Sequence, residues 1–333
     1  MHKAMFWTKK SGKIVQCHLC PRECVIGDGK RGFCGVRQNF DGVLYSLVYA
    51  KPVSIALDPI EKKPLFHFLP GTQTLSIATV GCNFTCKHCQ NWEISQYPRL
   101  HGKITGEDKT PEEIVDMAVE LGAPSISWTY TEPTVFYEFF YDTAKLAKKR
   151  GIKQVWVSNG FTSPEAIRKA RGLLDAVNID WKGNDKFYHD ICSAWLEPIK
   201  KALLEYKKIG AWIEITNLII PTLNDSEKDI EDMCIWIKKN LGKQTPIHFS
   251  AYYPCYKLDN PPTPPTTLEK AAQIAERHLD YVYIGNVFHN KNHTFCPNCK
   301  KMLIERVGNS MKSNELKNGK CPSCGKKIAG IFL

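Results

Sequence analysis

Between residues 74 and about 290 the apolar positions switch repeatedly between two periods. Short alternating or β-branched runs at 74–81, 125–131, 153–158, 176–182, 211–220, 246–252 and 281–285 predict strands. Longer segments with helical spacing separate them and carry start signals. Thr110-Pro111-Glu112-Glu113 reads as a capping box with proline in the first turn, Ser163-Pro164-Glu165 repeats the cap, and Thr266 with Glu269 suggests another box. Gly122, Gly151, Gly210 and Gly242 fall where helices should stop. Repeated strand–helix units imply an α/β fold with a parallel sheet, and about six units suit a partial (β/α)6-type barrel.

The flanks break this pattern and divide the chain at 1–73, 74–290 and 291–333. Residues 1–40 carry Cys17, Cys20, Cys24 and Cys34 with glycines between the last two, a four-cysteine module for zinc or an auxiliary iron–sulfur cluster. Residues 41–73 form a bridge. Its stretch Asp58–Gly71 is broken by prolines yet apolar, so it is expected to pack on the core rather than hang free. Cys296-Pro-Asn-Cys299 and Cys321-Pro-Ser-Cys324 make two knuckles of a zinc-ribbon or rubredoxin-like module, with zinc or iron as the ion.

Composition adds a compartment. Eleven of the 14 cysteines sit in three tight clusters, which is metal usage in a reducing environment rather than a disulfide scaffold. Cys192 and Cys234 read as core packing. The first ten residues lack the apolar run of a signal peptide, and no apolar stretch reaches a membrane span, so a cytoplasmic protein without a membrane partner is expected. The net charge of +11 is concentrated at the ends, with nine Lys/Arg against two Glu in 291–333. Such a flank suits nucleic acid or an acidic partner. It equally suits offsetting the charge of about −2 on a four-thiolate zinc centre.

The chemistry centres on Cys82-Asn-Phe-Thr-Cys86-Lys-His88-Cys89, on a loop leaving the first predicted strand. A four-iron cube normally takes four thiolates, so a local set of three leaves one iron open to a non-protein ligand. A zinc site completed by His88 or a remote cysteine is the alternative. Chemistry in parallel β/α folds gathers at the carboxyl ends of the strands. Those ends carry Thr129, Tyr130, Thr131 and Glu132, then Ser158 and Asn159, then Asp180 and Lys182, and finally His248 and Tyr252.

The cysteine loop resembles the Cys-x3-Cys-x2-Cys signature of the radical S-adenosylmethionine (SAM) enzymes, with His88 where an aromatic residue is usual. The resemblance implies a radical SAM barrel, a [4Fe-4S] cluster on Cys82, Cys86 and Cys89, and SAM on its open iron. Glu132-Pro133 resembles the end of the family's second-strand motif, which contacts the SAM amino group. Here Tyr130 and Thr131 replace two glycines. Ser158-Asn159-Gly160-Phe161 and Asp180-x-Lys182 resemble SAM-holding elements of glycyl-radical-enzyme activases. Cys17–Pro21, Glu61–Phe68, Gly81–Phe84, Thr129–Thr134, Tyr281–Asn286 and the terminal knuckles together resemble the pyruvate formate-lyase-activating-like radical SAM protein of the AmmeMemoRadiSam system.

What this implies is an activase-like enzyme that cleaves SAM reductively and takes hydrogen from a protein or peptide. An electron donor such as ferredoxin or flavodoxin would supply it, and His248 and Tyr252 are the candidates near the reacting position. A small-metabolite substrate is the alternative within that chemistry. A zinc-rich nucleic-acid-binding protein is the alternative outside it.

Overall fold

All seven predicted strands form, and an eighth joins them. The computed structural model describes residues 1–332. Its main sheet runs in chain order through β1 (Ser54–Pro59), β2 (Gln73–Ala78), β3 (Ser125–Trp128), β4 (Lys153–Ser158), β5 (Ala176–Asp180), β6 (Trp212–Ile219), β7 (Ile247–Ala251) and β8 (Val282–Gly285). β2 to β8 are parallel, and β1 lies antiparallel on the edge of β2. The run Ser54–Pro59, expected only as part of a bridge, is therefore a barrel strand. Its pattern is short and half-exposed, which is weak as a strand signal but ordinary for an edge.

Helices cover the outer face. Trp128 and Trp156 are fully buried there, with Trp128 edge-on to Phe140 at 5.8 Å and Trp156 to Phe140 at 4.8 Å on the helix Tyr137–Lys149. Truncating such a tryptophan costs about 3–5 kcal/mol. The Thr110 capping box and the Ser163 cap form as expected. The box at Thr266 does not: that helix starts at Pro265, no side chain caps it, and Glu269 instead reaches His289 at 3.1 Å. With Pro264 and Pro265 setting the entry, Thr266 already lies in the first turn.

The inner face must also be covered, and the prolines of the bridge make a plug for it. Ile60, Leu65, Phe68 and Leu69 pack against Val155 and Ala176 inside the sheet. The Glu214 carboxylate on β6 accepts from the Phe66 and His67 N–H groups at 3.0 and 2.8 Å.

The C-terminal module is built on this plug and is not a free tail. Its strands Thr294–Phe295, Met302–Val307 and Ser310–Asn314 share a core with Phe66, Tyr281 and Tyr283. Arg306, fully buried, donates to Phe66 O at 2.7 Å and pairs with Glu61 at 3.5 Å. The plug fills the amino-terminal ends of the strands, so this module sits at the opposite end of the barrel from the cysteine loop that follows β2.

Two small three-stranded sheets make the N-terminal module, which rides on the helix Tyr137–Lys149. Arg37 and Glu138, both buried, pair at 3.0 Å. Breaking such a pair from one side costs about 3–5 kcal/mol.

His67 ties plug to C-terminal module. Its Nδ1 donates to Ala329 O at 2.7 Å, and in the neutral ring its Nε2 accepts from the Tyr283 hydroxyl at 2.6 Å. Burial pushes its pKa down to about 4. The unfolded chain binds this proton near pH 6.5 and the folded chain does not until about 4. Stability should therefore be lost as pH falls through that window, by up to about 3 kcal/mol from this residue. Thermal unfolding of the His67→Gln variant should show a shallower dependence on pH between 6.5 and 4 than the parent. Equal slopes would remove His67 as the cause.

Candidate active site

The loop Cys82–Cys89 is held by its backbone, leaving its sulfurs free. Gly81 enters it at φ +100°, and a Cβ there would meet Val36 Cγ1 at 2.5 Å, so only glycine fits. Arg99 Nη2 donates to Cys82 O at 2.7 Å and Arg99 Nη1 to Phe84 O at 3.2 Å, while Arg22 Nε donates to Asn83 O at 2.8 Å. Both guanidinium groups lie over the Phe33 ring, at 3.6 Å for Arg22 and 4.5 Å for Arg99. Two arginines and one aromatic ring thus clamp three successive carbonyls.

The other side of the loop rests on a single π-turn, Tyr188–Cys192, followed by Ser193 at φ +54°. Thr85 N–H and Lys87 N–H donate to Cys192 O at 3.2 Å and Ile191 O at 2.9 Å. Cys192 is therefore not mere core packing. Its sulfur, Cys86 Sγ and a His88 ring nitrogen all lie within 4.8 Å of one another. The expectation for Cys234, buried in the helix Glu227–Asn240, stands.

The three thiols of the loop are all pushed up. Burial and then the Glu132 charge, with Cys86 behind it, do so for Cys82; the hydrogen bond with Cys192 and then burial do so for Cys86; burial and then Cys86 take Cys89 to about 11. Such a nest stays protonated unless a cationic centre replaces the protons. The residues fit an iron–sulfur cluster in this respect, and Phe84 N–H already donates to Cys82 Sγ at 3.3 Å.

Around the loop, the predicted rim residues fall into three groups. Glu132 is inside the wall: Oε1 accepts from Thr134 N–H at 3.0 Å, Thr134 Oγ1 at 2.6 Å and Ser158 Oγ at 2.8 Å, and Oε2 accepts from Asn159 N–H at 2.8 Å. Its carboxylate caps a 3-10 turn and joins two strand ends, and burial raises its pKa. Ser158 is spent in the same network. Asn159 faces the loop, donating through Nδ2 to Asn83 Oδ1 at 2.8 Å and reaching Cys82 Sγ at 3.8 Å.

A second group lines the mouth. Tyr130, at φ +63°, gives its hydroxyl proton to Asp58, and Asn91 Nδ2 donates to its carbonyl at 2.8 Å. Asp58 also accepts from Lys63 at 2.6 Å and Ser76 at 2.8 Å. Thr131 Oγ1 donates to Thr79 O at 2.8 Å, and Thr129 N–H to Ile77 O at 3.0 Å. Asp180 and Lys182 pair at 2.7 Å. Burial opposes the Lys182 charge, but Asp180, Cys86 and Cys192 outweigh it and push its pKa well up. A fixed cation thus stands beside the cysteines. Asp58 and Lys63 themselves lie on the plug side of the sheet, and only the Tyr130 hydroxyl reaches them from the rim.

His248 and Tyr252 are corrections. His248 Nε2 is bound to Glu214 at 2.7 Å and its ring is edge-on to Phe66 at 4.7 Å, so it faces the plug and not the mouth. Tyr252 is fully buried, donating to Leu258 O at 2.7 Å. It folds back a loop whose Lys257 N–H donates to Lys87 O at 2.9 Å. Its position supports the cysteine loop and offers no group to a reactant.

The Radical SAM superfamily profile matches residues 76–237 of this chain. An uncharacterized protein of Methanocaldococcus jannaschii is 49% identical over 333 residues, covering 98% of this chain and 99% of its own. The pyruvate formate-lyase-activating enzyme of Clostridium pasteurianum is 26% identical over 179 residues, 51% of this chain and 71% of that enzyme. Among solved structures, a radical SAM methyltransferase from Sphaerobacter thermophilus superposes with a TM-score of 0.51 at 16% identity, over 66% of this chain and 68% of its own. Streptococcus suis SuiB bound to its precursor peptide SuiA gives 0.50 at 12% identity, over 72% and 55%. At these identities the two structures show a shared fold.

Glu132→Ala should leave four buried donors unpaired and cost roughly 3 kcal/mol or more. Urea unfolding measures it. A loss below about 1 kcal/mol would mean the carboxylate is not the wall's tie and is free for a ligand.

Proposed function

The chain belongs to the radical SAM superfamily, and from that premise we propose that it cleaves SAM reductively and abstracts hydrogen from a polypeptide. The family implies a [4Fe-4S] cluster and SAM; when bound, they supply an electron and a 5′-deoxyadenosyl radical. The observation that carries the reading is a loop that bears Cys82, Cys86 and Cys89 while Arg99 and Arg22 hold three of its carbonyls and Asn159 reaches Cys82 Sγ.

The chain's own residues do the rest. Cys82, Cys86 and Cys89 hold the cluster. Asn159 donates toward Cys82 and steadies it. The Asp180–Lys182 pair offers a carboxylate for the SAM ammonium or ribose and an ammonium for its carboxylate. The Thr129–Thr131 turn lies against the same mouth, while Glu132 and Ser158 serve by fixing that wall. Asp58, Tyr130 and Lys63 form a polar network inside the sheet that ties the plug to the turn after β3; burial lowers the Lys63 pKa to about 8.

A polypeptide substrate is supported by the mouth's setting. The N-terminal module forms one side of it through Arg22, which donates to Asn83 O and to Ser193 O. The C-terminal module is at the other end, which favours residues 1–40 over 291–333 as the docking surface. The activating enzyme of C. pasteurianum and SuiB with its precursor peptide are consistent precedents in their own names. We further propose membership of the AmmeMemoRadiSam subgroup, a ferredoxin- or flavodoxin-type donor and a cytoplasmic setting; no helix among the described residues is long and apolar enough to cross a membrane.

The C-terminal module takes a single ion. Its Cys296–Cys324 and Cys299–Cys321 sulfur pairs stand 3.6 Å apart. Zn–S bonds of about 2.3 Å in a tetrahedron give an edge of about 3.8 Å. Zinc is proposed, with iron in the same geometry as its alternative. Nucleic-acid binding by this basic module has only its charge in favour.

One observation favours a second reading of the loop. Cys86, His88 and Cys192 are close enough to share one ion. Metal analysis of a Cys82→Ala/Cys89→Ala variant separates the two: a retained zinc beyond that of the C-terminal module supports the single ion, and loss of about four irons with zinc unchanged supports the cluster.

Anaerobic protein with a strong reductant and SAM should form 5′-deoxyadenosine and methionine, and Cys86→Ala should reduce this to background. Unchanged 5′-deoxyadenosine formation in that variant, measured chromatographically, would overturn the proposal. Affinity for a peptide substrate should weaken as salt rises past about 0.15 M, because exposed charges act over roughly 8–10 Å. Full turnover of a free metabolite with no salt effect would argue for a small-molecule enzyme.

A further inference from the structure

Cys17, Cys20, Cys24 and Cys34 line one partly enclosed cavity in the N-terminal module. None is in a disulfide. A backbone N–H is aimed at each sulfur: Leu19 at Cys17, Arg22 at Cys20, Phe33 at Cys24 and Val36 at Cys34. Three of these are the residue two positions on, which is how a chain wraps thiolates around a metal centre. Gly32 keeps one wall low, since a Cβ there would come within 3.2 Å of Ile26 and 3.7 Å of Cys24 Sγ.

Spacing separates a single ion from a cluster. The C-terminal four sulfurs all lie within 4.8 Å of one another, as one tetrahedral ion demands. The N-terminal four line their cavity without closing to that distance. A four-iron cube sets iron and sulfide between its thiolates and so holds them farther apart.

Charge points the same way. Arg37 lines the cavity at 2% exposure, and its Nε–H has no hydrogen-bond partner. Its Nη1 and Nη2 are taken by Glu138 and Met5 O. A buried N–H without an acceptor costs about 1–3 kcal/mol, unless something electron-rich fills the space it faces. Arg22 lines the same cavity. Cationic walls suit a centre whose four thiolates leave it net negative.

We propose that Cys17, Cys20, Cys24 and Cys34 bind a second [4Fe-4S] cluster, fully ligated by protein, and that Arg37 Nε donates to one of its sulfurs. Asn83 connects it to the first site: it lines this cavity, follows Cys82 directly and accepts from Asn159, which also faces Cys82 Sγ. The two centres share one residue of wall.

The test uses the full chain, purified and reconstituted anaerobically with iron and sulfide, in the Cys82→Ala/Cys86→Ala/Cys89→Ala variant. This variant lacks the first site, so failure of the SAM chemistry cannot be confused with failure of this inference. The expected result is about four irons and four sulfides per chain, with a reduced-state paramagnetic signal that disappears on adding Cys20→Ser and Cys34→Ser. Where that variant does not fold, iron on the parent decides: about eight per chain is expected. Zinc in place of iron in the variant, a folded variant without iron, or about four irons on a parent that still cleaves SAM would each overturn it.

Discussion

The buried carboxylate of Glu214 holds the architecture together. An open parallel sheet leaves its inner face bare, and here a non-repetitive segment must fill part of it. Glu214 accepts from two plug N–H groups, from Trp212 Nε1 at 3.0 Å and from His248 at 2.7 Å. Burial alone would raise its pKa; these donors hold it below the ordinary value. Because the acceptor is charged and fully enclosed, its bonds to the plug are of the stronger kind, roughly 1.5–3 kcal/mol each. The plug in turn carries Glu61, and Glu61 with Phe66 O receives Arg306 of the C-terminal module. One carboxylate thus closes the base of the barrel and fixes what is attached beneath it.

Closing the base leaves the polar mouth as the place for chemistry, and there the N-terminal module completes the wall. The three carbonyls of Cys82, Asn83 and Phe84 are satisfied by Arg22 and Arg99, stacked on Phe33 from that module. A loop whose main chain is tied in this way can present thiols with little freedom to move away. The same arginines keep positive charge close to the sulfurs of the loop. Holding the loop and balancing its charge are one arrangement.

Much of this was legible in the chain. The alternation of short β-branched runs with capped helices predicted every parallel strand, and the Thr110 and Ser163 caps form because their side chains meet the first free N–H groups. The spacing of the cysteines predicted three clusters. What failed shares a cause. His248 and Tyr252 were placed at the reacting position by strand ends alone, but which way a side chain faces depends on the residue opposite. For His248 that residue is Glu214, 34 positions away. Glu132 and Ser158 lie at the expected end and are consumed by each other. The role of Cys192 rests on a π-turn and a left-handed Ser193, which leave no periodic trace in the sequence.

The distances between sulfurs carry information that motif spacing does not. Cys-x2-Cys pairs occur in both terminal modules, and the motif alone allows one ion or a cluster in either. In the C-terminal module, strand pairing brings the two knuckles face to face and the sulfurs close to 3.6 Å. In the N-terminal module, Cys34 follows a glycine-rich loop, and the chain just after it is fixed to the helix Tyr137–Lys149 by the buried Arg37–Glu138 pair. The spacing within each set of four sulfurs is therefore set by how its backbone is anchored to the rest of the protein.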